Sequence, residues 1–359
     1  MAHGSRKIVQ LGSLRIGGGN PVMVQSMTNT DTRNVEATLA QISELVARGC
    51  EAVRVAVPDD RAADVLKTLH DKSPVPLIAD IHFDWRLAVR AIEAGFEGLR
   101  INPGNIGSAS RVARVVDAAR ANGAAIRVGV NSGSVERELL DRFGGPCPEA
   151  MVASARNHVR LVEERGFDQI VVSVKSSSVL DTIACYRALA RELPYPLHVG
   201  VTEAGSLMRG TVKSAVGLGV LLSEGIGDTI RVSLTADPCE EVGVAYEILR
   251  ALGLRRRGPE IISCPTCGRT EIDLIGMAEK VEEYVQSHPA AAKSHLKIAV
   301  MGCVVNGPGE AREADIGLAG GRDKGVIFRK GKVRRSVNGQ DALLAAFLEE
   351  LDKLLTPND

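Results

Sequence analysis

From Pro21 to about Leu252 the chain alternates short β-branched runs with longer amphipathic ones. The short runs predict strands at Val22–Ser26, Ala52–Val57, Leu77–Ile81, Gly98–Ile101, Ile126–Val130, Ile170–Val174, Leu197–Val201 and Thr229–Ser233. The longer ones predict helices near Val35–Arg48, Arg61–Asp71, Trp85–Ala94, Ser108–Ala121, Glu149–Arg165, Leu180–Leu193, Ser206–Ser223 and Pro238–Leu252. Eight β–α units in about 230 residues point to a closed (β/α)8 TIM-type barrel. An open doubly wound sheet would carry a Gly-rich fingerprint after its first strand. Here Gly17-Gly18-Gly19 precedes that strand and reads as a turn. Asp59 suits a helix N-cap, and Gly49, Gly95, Gly123 and Gly166 suit C-terminal caps. Pro238 fits a first helical turn, with Glu240 and Glu241 favourable at its positive end.

The pattern breaks at Leu254-Arg255-Arg256-Arg257-Gly258-Pro259, whose charges, Gly and Pro suit an exposed linker. The expected domains are 1–254, the barrel, and 255–359, a smaller α+β domain. The latter should contain an apolar pair at Ile261-Ile262 and a helix near Ile272–Gln286. Strands are expected at Leu296–Val300, Asp315–Leu318, Gly325–Phe328 and Val333–Ser336, with a closing helix from about Gln340 to Leu354.

Composition removes several function classes. The formal net charge is zero and only 3% of residues are aromatic, which argues against a nucleic-acid surface. No apolar run approaches the length of a membrane-spanning helix, and the N-terminal MAHGSRK has no apolar signal region. Seven cysteines without regular spacing argue for a reducing compartment, so a cytoplasmic location is expected. Cys50, Cys147, Cys185 and Cys239 read as ordinary thiols.

Four predicted strands carry an arginine inside an apolar run: AVRVAV at Arg54, GLRIN at Arg100, AIRVG at Arg127 and TIRVS at Arg231. Burying guanidinium groups among valines is costly unless they are paired. With Lys175 after a fifth strand, these cations outnumber nearby carboxylates such as Asp80 and Glu203. They therefore point to an anion site at the C-terminal mouth, where barrel active sites are built. Gln25, Ser26, Asn102, Asn131, Ser132, Ser173, Thr202 and Ser233 also fall at strand ends, while His82 reads more readily as structural.

The second domain holds the other chemistry. Cys264-Pro265-Thr266-Cys267 and Met301-Gly302-Cys303-Val304-Val305-Asn306-Gly307-Pro308-Gly309-Glu310 place three cysteines on two turn-rich loops. Three soft ligands suit zinc or an iron–sulfur cluster. A closed zinc site usually takes four Cys or His ligands, and neither loop contains a His. Iron–sulfur is favoured, with Glu310 available as a fourth ligand. The alternative is a zinc-stabilised barrel enzyme acting on a phosphate ester without redox chemistry.

The segments IISCPTCGRTEIDL and KIAVMGCVVNGPGEAREADIG resemble signature segments of bacterial 4-hydroxy-3-methylbut-2-en-1-yl diphosphate synthases, iron–sulfur enzymes of the non-mevalonate isoprenoid pathway. PVMVQSMTNTDT, LRINPGNIG, RVGVNSGS and the VTEAG segment resemble the same family, from about Lys7 to the last helix. The resemblance implies a second domain like the cluster-binding domains of nitrite and sulfite reductases. It implies a 4Fe-4S cluster on Cys264, Cys267, Cys303 and Glu310, with Glu310 also catalytic. It also implies diphosphate binding by Arg54, Arg100, Arg127, Asn131, Lys175, Arg231 and Ser233, and a catalytic carboxylate at Glu203. The implied reaction is reductive ring opening of 2-C-methyl-D-erythritol 2,4-cyclodiphosphate with loss of water. Flavodoxin or ferredoxin would be the electron donor. A homodimer would set each cluster domain over its partner's barrel.

Overall fold

The computed structural model describes residues 5–303, 309 and 311–356. The chain divides into two units, Met1–Arg255 and Arg256–Asp359. No helix among the described residues is long and apolar enough to cross a membrane.

The first unit opens with an antiparallel hairpin, β1 (Ile8–Leu11) and β2 (Leu14–Gly17), which the periodicity did not announce. The barrel strands follow: β3 (Met23–Met27), β4 (Ala52–Ala56), β5 (Leu77–Asp80), β6 (Gly98–Ile101), β7 (Ala125–Asn131), β8 (Ile170–Lys175), β9 (His198–Val199) and β10 (Thr229–Ile230). They pair in the order β8-β7-β6-β5-β4-β3-β10-β9. A parallel bridge between Val172 and Leu197 closes the ring, with the Val172 N–H donating to Pro196 O at 2.9 Å. This is the expected TIM-type barrel, with β9 and β10 shorter than the predicted runs. Helices cover the outside, several of them started by a side-chain cap. Asp59 accepts from the Ala62 N–H, and Asp237 caps the helix Pro238–Ala251, whose first turn holds Pro238 as expected. A helix at Arg137–Phe143 in the loop after β7 was not expected.

Strand alternation separates two cores. Val53, Val55, Leu99, Ile101, Ile126, Val128, Val172 and Val174 face the helices. Met23, Ala52, Ile78, Ala125 and Val171 face the lumen at its N-terminal end. There they pack on Val9, Leu11 and Ile16 of the hairpin, which forms the apolar floor of the barrel.

The second unit is a five-stranded sheet in sequential order. Its strands are β11 (Glu260–Ser263), β12 (Lys297–Met301), β13 (Ile316–Ala319), β14 (Lys324–Arg329) and β15 (Lys332–Asn338). β11 to β13 are parallel, and β13 to β15 antiparallel. Helices Leu274–Ser287 and Gln340–Leu355 contribute Val281, Phe347 and Leu351 to a core with Ile298, Val300, Ile316 and Leu318. On the other face the Phe328 ring lies over Gly317, its register partner, where a Cβ would come within 2.3 Å of the ring.

Candidate active site

Two residues above the apolar floor, the lumen-facing positions become polar. Gln25 follows Met23, Arg54 follows Ala52, Asp80 follows Ile78, Arg127 follows Ala125, and Ser173 then Lys175 follow Val171. Register sets Arg100 between Asp80 and Arg127, and Asn131 beside Lys175. The predicted arginines thus share the lumen with Lys175, close enough for their charges to act on it.

Their partners are few. Asp80, 4% exposed, lies 3.6 Å from Arg54 Nε and 3.4 Å from Arg100 Nη1. Arg54 Nε also donates to Met27 Sδ at 3.0 Å. Arg231 forms a two-pronged pair with Glu241, Nε to Oε2 and Nη2 to Oε1, each 3.2 Å. Ser26 Oγ donates to the same carboxylate at 2.8 Å, and the Leu234 N–H at 3.1 Å. Arg127 donates through Nη1 to Gln25 Oε1 at 2.8 Å. Among the described residues, no carboxylate lies within ion-pair distance of Arg127 or Lys175. Five cations therefore share two carboxylates.

The imbalance marks Lys175, Arg127, Arg54 and Asp80. Burial drives the Lys175 ammonium well below the usual lysine range, and Arg54, Arg231, Arg127 and Arg100 add to the shift. Burial, then the charges of Arg54 and Arg100, lowers Arg127 well below its ordinary range. Arg54 is lowered by burial to about 10, with Asp80 opposing. Burial would raise the Asp80 carboxyl, but Arg54, the His82 hydrogen bond and Arg100 outweigh it and hold Asp80 well below the carboxylate range. Buried charge without a counter-ion costs several kcal/mol per ion, on the order given by desolvation. An anionic ligand that neutralises the layer recovers that cost on binding.

Two glycines give this layer room. A Cβ at Gly129 would sit 2.7 Å from Arg100 Nε. One at Gly200 would sit 2.5 Å from the Arg231 carbonyl oxygen and 3.2 Å from Lys175 Nζ.

The remaining predicted barrel residues lie around the layer. Asn131 ends β7, with its backbone N–H donating to Ser134 Oγ at 2.9 Å. Ser233 is half-buried two residues past Arg231. Glu203 is exposed in the loop after β9 and pairs with no cation among the described residues. Its φ is +51°, one of two positive values at non-glycine residues there. Such strain persists only where the surroundings impose it. This loop is tied on both sides, by Thr202 N–H to Ser176 O at 3.3 Å and Thr235 N–H to Gly205 O at 2.9 Å. His82 is exposed, 3.5 Å from Asp80 Oδ2.

Glu241 escaped the sequence reading. It stands in the first helical turn after Pro238, where charge near a positive helix end is sufficient explanation. In the fold it is 3% exposed and serves Arg231. No local signal distinguishes it from exposed Glu240.

In the second unit, Cys264 follows β11 and Cys303 lies two residues past β12. These strands are parallel neighbours, with Ser263 opposite Val300, so both cysteines leave the same end of the sheet. The Gly302 N–H donates to Cys264 Sγ at 3.2 Å. The exposed Cys267 thiol is lowered below its ordinary range by the Arg269 backbone N–H, then by the Arg269 and Thr270 side chains. N–H donors facing sulfur favour thiolate and fit an iron–sulfur ligand set. As they stand, no three Cys, His, Asp or Glu among the described residues converge on a metal-sized point. Glu310 lies outside the described residues. Cys50 and Cys185 differ in kind, since burial pushes both thiols up to about 12.

Residues 6–246 match the GcpE TIM-barrel domain, and residues 260–353 match the GcpE protein C-terminal domain. The chain is 68% identical over 351 residues to the 4-hydroxy-3-methylbut-2-en-1-yl diphosphate synthase (flavodoxin) of Lawsonia intracellularis, covering 98% of this chain and 96% of that one. It is 62% identical to the enzyme of the same name from Nitratidesulfovibrio vulgaris, covering 97% and 89%. Among solved structures, the 3-dehydroquinate dehydratase of Geobacillus kaustophilus superposes with a TM-score of 0.50 at 15% identity, over 69% of this chain and 98% of that one. That likeness is one of fold alone. With both family domains matched in order, and relatives more than half identical along nearly the whole length, the chain belongs to the GcpE family.

Proposed function

We propose that this chain is a flavodoxin-dependent 4-hydroxy-3-methylbut-2-en-1-yl diphosphate synthase. It opens the ring of 2-C-methyl-D-erythritol 2,4-cyclodiphosphate by a two-electron reduction with loss of water. The observation that carries this reading is the charge imbalance in the barrel, where Arg127 and Lys175 are buried with no carboxylate at ion-pair distance among the described residues. In a family whose curated relatives carry a diphosphate in their product's name, that imbalance suits a diphosphate.

Residues 1–254 hold the substrate. Arg54, Arg100, Arg127, Lys175 and Arg231 grip the diphosphate, and Asn131 and Ser233 complete its hydrogen bonds. Breaking the ring C–O bond turns a diphosphate bridging two carbons into one held at a single end. The freed phosphate oxygen gains negative charge. Cations already fixed in a poorly hydrated lumen stabilise that charge without reorganising. Glu203, in its strained loop above the layer, donates or orients a proton for the departing oxygen.

Residues 255–359 carry a 4Fe-4S cluster on Cys264, Cys267, Cys303 and Glu310. When bound, such a cluster supplies electrons one at a time. Cys264 and Cys303, at one end of adjacent parallel strands, and the thiolate-favouring Cys267 fit three of its four ligands. Glu310 completes the set as the harder, more exchangeable ligand and has a catalytic part in the reaction. The protein works as a homodimer in the cytoplasm, where its free thiols stay reduced.

Metal and sulfide analysis of anaerobically purified protein, with its visible spectrum, tests the redox assignment. Iron with matching acid-labile sulfide and a broad visible band is expected. Stoichiometric zinc and a colourless protein would instead contradict the redox assignment and favour the zinc-stabilised alternative.

A further inference from the structure

Beneath the cation layer the lumen is not filled. A cavity of about 20 Å³ separates the hairpin floor from Arg127. Its walls are mostly apolar, including Leu11, Met23, Ile78, Ala125 and Val171, and its polar lining is Gln25, Arg127 and Thr229. Arginine only donates, so the 2.8 Å contact from Arg127 Nη1 fixes Gln25 Oε1 on that side and assigns the other amide atom as Nε2. Gln25 Nε2 and Arg127 Nε are both buried with no hydrogen-bond partner among the described residues, in residues 2% and 6% exposed. The Thr229 hydroxyl is engaged with His198 Nδ1 at 2.7 Å.

Roughly 10–15 Å³ holds one water, so the cavity admits a single atom-sized occupant. The two unpartnered groups are both N–H donors, so the occupant must accept hydrogen bonds. A water would leave its own protons facing mainly methyl groups. A monatomic anion has no protons to place, and it offsets a guanidinium that lacks a carboxylate.

We propose that the lumen beneath Arg127 is a binding site for one chloride-sized halide, held by Arg127 Nε–H and Gln25 Nε2–H. The halide steadies Arg127 from the floor side and leaves its outer N–H groups free toward the mouth. The site lies on the floor side of Arg127, a residue also assigned to the diphosphate, and its own observations are the cavity and the two unpartnered donors.

The test is anomalous diffraction above the bromine edge, from crystals of the full chain purified throughout in millimolar bromide. One anomalous peak between Arg127 Nε and Gln25 Nε2 is expected. Ala125→Leu, which extends the floor into the cavity and keeps both donors in the chain, should abolish the peak. A water without anomalous signal at that point, or no density, overturns the site. Bromide there only at molar concentration marks an adventitious ion only, and likewise overturns it. If Ala125→Leu does not fold, the wild-type map still decides.

Discussion

Arg127 donates through Nη1 to Gln25 Oε1 at 2.8 Å, so this buried guanidinium is oriented by a neutral amide and not by a carboxylate. An amide fixes the plane of the group without cancelling its charge. Arg231, by contrast, is held by both oxygens of Glu241. Arg127 has no such carboxylate partner among the described residues.

Arg127→Ala should therefore weaken binding of the cyclic diphosphate by about 2–5 kcal/mol, the usual range for truncating one side of a buried charge pair. Cluster content should not change, because Arg127 and the three cysteines belong to different units. Titration calorimetry beside iron analysis checks both. Unchanged affinity would remove Arg127 from the anion site.

The barrel was legible because its signal is local and repeated: β-branched runs alternate with amphipathic ones, and lumen-facing positions follow from period-two alternation. The four arginines stood out because guanidinium among valines is a costly exception. The hairpin β1–β2 was less legible, since its strands have four residues each and gain their meaning from packing beneath the lumen. Glu241 was hidden for a related reason. Its partner Arg231 is ten residues away, and only the fold turns its side chain inward. The strained backbone of Glu203 leaves no trace in composition, because a glutamate at positive φ resembles any other glutamate in a sequence.

Lys175 is buried, with no carboxylate at ion-pair distance among the described residues. Lys175→Met, of similar length, should raise ligand-free stability by about 1–4 kcal/mol, the range for replacing buried charge by apolar groups, while reducing diphosphate affinity. The pH dependence has a definite sign. With the folded value depressed, the unfolded chain binds more protons between that value and the ordinary lysine value, so wild-type stability rises with pH across that window. The variant should lose this slope. Anion binding should restore the proton, so calorimetry in buffers of different ionisation enthalpy should show proton uptake in wild type and less in Lys175→Met. No buffer dependence would contradict the assignment.

Asp80→Asn leaves Arg54 and Arg100 without their shared carboxylate, and should destabilise the barrel by about 3–5 kcal/mol. The folded Asp80 carboxyl titrates below its unfolded value. Its contribution is therefore complete above about pH 4 and is lost as pH falls through the folded value. Urea melts should show a constant gap between the two proteins from about pH 5 to 8, narrowing only in acid. A gap that closes near neutrality would point to a different titrating group.

Cys264→Ser, Cys267→Ser and Cys303→Ser should each lose the cluster after anaerobic reconstitution, whereas Cys50→Ser and Cys185→Ser should keep it. The first three lie on the two loops of the second unit, and the latter two are buried thiols of the barrel. Iron and sulfide content is the readout. Full iron in any of the first three removes that cysteine from the ligand set.

The most direct measurement is anaerobic turnover. Cluster-loaded protein is mixed with 2-C-methyl-D-erythritol 2,4-cyclodiphosphate and reduced flavodoxin, and the products are identified by mass spectrometry. The expected result is 4-hydroxy-3-methylbut-2-en-1-yl diphosphate, one molecule for every two electrons consumed. Cluster-loaded protein that binds the cyclic diphosphate yet leaves it unreduced would contradict the proposed function.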